Sequence, residues 1–201
     1  MKYPKVISQS HFHSHPLLTY DGLPSSYNEN ILQRIEERFN FMFTRHSQVL
    51  IYSMVFKYPD NGIAYPQDNS LFQNCIESYK RYLDRHNFSP QFIWVREQNE
   101  SRHPHFHLCV MLNGNAIRYL KNDLEPHRLW NLALGLPLET QGLVHFSDMD
   151  GSGNWSILVH RDDHALQDKV FAILSYLAKT FSKQNKAIRG LHEFGCSHMP
   201  E

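Results

Sequence analysis

Cysteine is scarce. Cys75, Cys109 and Cys196 are the only three among 201 residues, widely spaced and never in a CxxC pair. An odd, scattered set argues against a disulfide framework and fits a reducing compartment. Net charge is missing too: 20 Lys+Arg balance 20 Asp+Glu. No global field therefore draws in a polyanion, and any polyanion site must be local. The longest apolar run, VLIYSMVF, is far too short to cross a bilayer. The opening MKYPKVISQSHFHSH has no apolar core of the kind a secretory signal needs. A cytoplasmic chain without a membrane partner is expected. No GxxxxGK[ST] stretch is present, so this sequence carries no P-loop motor. Repeats and low-complexity tracts are lacking as well.

Histidine and aromatics, by contrast, are abundant: 14 His, 13 Phe, 10 Tyr and 3 Trp. Residues 1–24, punctuated by Pro4, Pro16, Gly22 and Pro24, lack hydrophobic periodicity and are expected to be an N-terminal arm. A single domain is expected over 25–190, with 191–201 as a C-terminal tail. Within the domain, Ile31, Leu32, Ile35, Phe39 and Met42 recur at helical spacing behind a serine-rich start. QVLIYSMVFKYP is β-branched and aromatic and stops at a proline, which predicts a buried strand. LFQNCIESYKRYLDRH predicts a second helix with Leu71, Cys75, Tyr79 and Leu83 on one face. PQFIWVREQ and HPHFHLCVMLNG predict a hairpin closed by NESR. NAIRYLKNDLEPHRLWNLAL is mostly helical, with a break or fresh start at Pro126. GLVHFSDMDGSGNWSILVHR predicts a second hairpin, and HALQDKVFAILSYLAKTFSKQ a long last helix. Five strands with interspersed helices make an α+β domain on a mainly antiparallel sheet.

Side chains alternate across a strand, so His103, His105 and His107 are expected on one face. Phe106, Leu108, Val110 and Leu112 then form an apolar face on the other side. Two imidazoles at that spacing can converge on one ion. Glu97 is eight residues before His105; a turn centred near Ser101 puts it on the same face. Two His and one carboxylate with open positions suit Mn²⁺ or Mg²⁺ and the polarisation of a phosphate oxygen. The plainer alternative is a wet sheet face that holds nothing. Asp148 and Asp150 are alternative ligands, although their setting is that of turn residues. A second triplet, His11, His13 and His15, has the same spacing without an apolar opposite face. It is read as part of the flexible arm.

In the last helix, Phe171, Leu174, Leu177, Ala178 and Phe181 form a core stripe. Tyr176, Lys179 and Lys183 recur at intervals of three and four and are expected to share the opposite face. A rigidly presented phenol beside a lysine suits attack on a phosphodiester, the cation holding the phosphate. Taken alone, a tyrosine there is more often a boundary residue. From Lys169 to His192 no acidic residue occurs, and Lys183, Lys186 and Arg189 supply a basic segment for a DNA strand, or merely a solvated face.

Together VLIYSMVFKYP, HPHFH and YLAK resemble, in order, the three motifs of HUH rolling-circle replication initiators. The wording around them is most similar to inovirus-type replication proteins and to YagK/YfjJ domain proteins of prophage origin. The resemblance runs from about Val49 to Lys183. It implies a ferredoxin-like, Rep-like sheet and a divalent metal, Mn²⁺ or Mg²⁺, on His105, His107 and Glu97. It further implies Tyr176 as nucleophile, with Lys179 beside it. The expected activity is nicking and joining of single-stranded or hairpin origin DNA through a 5′-phosphotyrosine, with host helicase and polymerase as partners. No second tyrosine follows Tyr176 at three or four residues, so one nucleophile is expected. Two alternatives stand beside this: a catalytically inactive prophage-derived DNA-binding protein, and a histidine-triad nucleotide hydrolase or transferase built on His103, His105 and His107.

Overall fold

A computed structural model of the chain describes residues 5–20, 23–98, 101–120, 124–180 and 191–199. The first helix, α1 (Glu29–Arg45), starts where the Asn28 side chain accepts the amides of Asn30 and Ile31. Its stripe of Ile31, Leu32, Ile35, Phe39 and Met42 is buried, as its spacing predicts. Six two-residue strands precede it. These are β1 (Val6–Ile7), β2 (His11–Phe12), β3 (His15–Pro16), β4 (Thr19–Tyr20), β5 (Leu23–Pro24) and β6 (Tyr27–Asn28). They pair as β1 with β6, β2 with β3 and β4 with β5. Phe12 and Leu17 are buried in the core although nothing periodic in the sequence marks them.

Six further strands build the main sheet: β7 (Gln48–Lys57), β8 (Gln91–Glu97), β9 (His105–Asn113), β10 (Val144–Phe146), β11 (Ser156–His160) and β12 (Phe194–Cys196). Every pairing is antiparallel, with β9 between β7 and β8. The fold is thus the expected α+β class with a large antiparallel sheet. Strand parity divides β7 into two apolar faces. Leu50, Tyr52, Met54 and Phe56 pack with Phe106, Leu108 and Val110 against α2 (Ser70–Arg85) and α3 (Glu125–Leu134). Val49 and Ile51 pack with Ile93, Val95, Cys109 and Met111 against α1 and α4 (His164–Leu174). Both faces being covered explains why these strands read as continuous apolar runs rather than alternating ones.

Four details differ from expectation. β10 and β11 do not form a hairpin. Both pair with β7, Val144–Phe146 against Phe56–Met54 and Ser156–His160 against Tyr52–Gln48. They are two halves of one edge strand, interrupted by a loop at 147–155. β7 is long enough to serve both, and Met149 anchors the excursion in the core. Residues 114–116 form a turn and 117–120 are irregular rather than helical, and α3 makes the fresh start at Glu125 with Pro126 in its first turn. A sixth strand, β12, arises beyond Gly190 and pairs with β8. Finally, α4 stops at Leu174, and Ser175–Ala178 form a tighter 3₁₀ turn. Ser175 is the cause: its Oγ donates to Ala172 O at 2.7 Å and accepts the Leu18 amide at 3.0 Å. Lys179 then turns extended and bridges Tyr27 antiparallel.

Candidate metal centre and its tyrosine

On the face that α1 and α4 cover, the sheet is open at one end among the described residues. Along β7, Val49 and Ile51 are buried, Ser53 and Val55 half-buried, and Lys57 exposed. His105 and His107 stand at this open end. The β8–β9 register places Glu97 directly opposite His105, as a turn centred on Ser101 requires. Glu97 Oε2 lies 3.5 Å from His105 Nε2 and 3.2 Å from His107 Nε2. One ligand atom from each residue falls within 4.8 Å of the others. Glu97 is buried, at 4% exposure, while the two imidazoles remain partly open.

These residues fit a divalent ion. Neighbouring ligands at about 2.1 Å from a six-coordinate ion stand about 3 Å apart, close to the two Glu97–His separations. His107 Nε2 is buried and makes no hydrogen bond of good geometry among the described residues. Such an atom carries a desolvation cost that a ligated ion would remove. Three protein donors leave positions open for substrate oxygens.

His103 does not join the group, although period-two spacing placed it on the same face. The strand begins only at His105, and Pro104 precedes it in non-strand conformation. The His103 ring turns instead to Tyr58 and Tyr65, at 5.4 and 5.5 Å. Asp148 and Asp150 hold the 147–155 loop together as turn residues. Asp148 accepts the amides of Gly151 and Gly153, and Asp150 that of Ser152. His13 and His15 pair with Glu36 at 2.9 Å and Asp168 at 3.1 Å, tying the β2–β3 hairpin to α1 and α4.

Tyr176 is brought to the centre by the 3₁₀ turn rather than by an exposed helical face. Its ring centroid is 6.0 Å from that of His107, and it is 38% exposed. Lys179 differs more from expectation. Because the chain leaves the helix before it, Lys179 is buried at 1% exposure, and its Nζ lies 4.4 Å from the Tyr176 ring centroid. That is cation–π range. Burial pushes the Lys179 ammonium down to about 8. Burial also raises the Tyr176 phenol, with the Glu97 charge adding to the effect. Lys183, Lys186 and Arg189 lie outside the described residues.

The model of the YagK/YfjJ C-terminal domain matches residues 10–197. The chain belongs to that family. It is similar to a protein described as "Uncharacterized protein YagK" of Escherichia coli (strain K12), 23% identical over 209 residues, with 90% of this chain and 98% of the relative covered. The family match spans every strand of the main sheet and both parts of the centre, the triad and Tyr176. No helix among the described residues is long and apolar enough to cross a membrane.

Proposed function

We propose that the protein is a metal-dependent, single-tyrosine DNA-nicking and joining enzyme of the HUH type, acting at the origin of a phage, prophage or plasmid. What supports this most is one juxtaposition: Tyr176 beside His107 of a two-His, one-Glu triad, with Lys179 against the same phenol ring. Glu97, His105 and His107 would hold the ion, which when bound polarises the scissile phosphate oxygen. Two imidazoles favour Mn²⁺ over the harder Mg²⁺. The Tyr176 oxygen attacks phosphorus and the bond from phosphorus to the 3′ oxygen breaks. The tyrosine loses its proton, the 3′ oxygen gains one, and a 5′-phosphotyrosine remains. Joining is the reverse, because the phosphodiester bond energy stays in the new linkage. Lys179 offsets charge developing on the phenol and the phosphate. The 3′-hydroxyl would prime a host polymerase, with a host helicase opening the duplex.

A histidine-triad mechanism is less well supported, because His103 stands apart from His105 and His107 and leaves Glu97 and Tyr176 unused. The test is a labelled single-stranded hairpin oligonucleotide with Mn²⁺, its products analysed by end chemistry. Cleavage giving a free 3′-hydroxyl and a peptide-linked 5′ end at Tyr176 is expected, and chelation should stop it. Cleavage to a free 5′-phosphate would refute covalent catalysis.

A further inference from the structure

Next to the triad, where β7 leaves the sheet and β9 enters it, lies a cleft of about 430 Å³. Lys57, Tyr58, Asp60, Arg102, His103 and His105 line it. His105 thus faces both the ion site and the cleft. Lys57 is the register partner of His105 on the strand opposite Glu97, so the two sites share one row of the sheet.

The cleft has a built wall. Tyr58 and His103 lie 5.4 Å apart with Tyr65 behind them, 5.1 Å from Tyr58. Gln67 Nε2 lies 3.3 Å from His103 Nδ1. Buried Arg96 donates to Gln98 Oε1 at 2.7 Å and to Gln67 O at 3.3 Å. Gln98 Nε2 in turn donates to the carbonyls of Ser101 and Arg102. A buried guanidinium therefore sets the turn that carries Arg102 and His103. Within this wall Tyr58 is 8% exposed, and its hydroxyl finds no hydrogen-bond partner among the described residues.

We infer that this cleft binds the nucleotide unit adjoining the phosphate held at the triad. The chemistry is that of a nucleotide. Aromatic faces stack on a base regardless of sequence, and Lys57 and Arg102 meet a phosphate. Asp60 supplies an acceptor, which favours a base presenting an amino group over thymine. That the unit belongs to a DNA strand rests on the nicking reading; that it is a nucleotide rests on the cleft alone.

Photo-crosslinking separates the two. Single-stranded oligonucleotides carrying one photoreactive base at successive positions are irradiated with the full-length protein and Mn²⁺, and photoreactive deoxynucleoside monophosphates are run in parallel. The crosslinked peptide and any Tyr176 adduct are identified by mass spectrometry. A crosslink at Tyr58 or His103, from one oligonucleotide position or from the mononucleotide, is the expected result. Arg102→Ala should reduce it at least tenfold, without changing Mn²⁺ affinity. The same crosslink without a Tyr176 adduct would uphold the cleft and sink the nicking reading. A Tyr176 adduct with crosslinks only elsewhere would overturn the cleft and leave nicking intact. No crosslink at the cleft from any probe overturns the inference outright.

Discussion

At the scale of single residues, the centre sets a buried carboxylate and a buried ammonium around one phenol, which burial first and the Glu97 charge second keep protonated. Glu97 raises the Tyr176 phenol, so removing its charge should lower it. In metal-free Glu97→Gln, ultraviolet titration referenced to Tyr176→Phe is expected to show Tyr176 ionising at lower pH than in the wild type. Mn²⁺ affinity in the same variant should fall by about tenfold or more, since outer-shell changes alone have effects of that size. Lys179 makes a separate prediction about stability. Its folded value, about 8, is below the unfolded one, so the buried ammonium destabilises the fold below pH 8. That penalty disappears as pH rises from about 8 to the ordinary lysine value near 10.4. Lys179→Met should therefore lose this pH dependence, its stability relative to wild type being greatest at pH 7 and falling toward pH 10 in denaturant unfolding.

Secondary-structure elements show which signals a sequence carries and which it hides. The β8–β9 hairpin was legible because parity and turn length alone fix which side chains meet, and Glu97 falls opposite His105 as expected. The end of α4 was not. The pattern Tyr176-x-x-Lys179 fits a helical face, but a serine hydroxyl bonded to a segment some 157 positions away overrides local preference. The split edge strand was hidden for a related reason. GLVHFSDMDGSGNWSILVHR has a turn-rich centre, and only the length of β7 decides that both halves pair with it. β12 is three residues long and was unreadable by period. Its seat is steric: a Cβ on Gly195 would come within 2.6 Å of the Trp94 ring. Gly195→Ala is expected to cost about 1–3 kcal/mol by overpacking, seen as a lower thermal midpoint. An unchanged midpoint would mean that β12 contributes little to the sheet.

At the largest scale, the two apolar layers leave one end of the sheet uncovered among the described residues, and the triad, Tyr176 and the neighbouring cleft all gather there. A balanced net charge is compatible with this, since the groups facing a phosphate need only be local. An ion that binds only the folded chain must stabilise it. At a hundredfold excess over its dissociation constant, Mn²⁺ should add about 2.7 kcal/mol and raise the midpoint by roughly 5–10 °C. The rise should vanish in His107→Ala. The most direct measurement of the central claim is a denaturing gel of labelled single-stranded hairpin DNA incubated with Mn²⁺ and either wild-type protein or Tyr176→Phe. The expected result is a covalent protein–DNA band with the wild type, absent with Tyr176→Phe, His107→Ala or chelator. A covalent band that persists in Tyr176→Phe, or none with wild-type protein that binds both Mn²⁺ and the DNA, would contradict it.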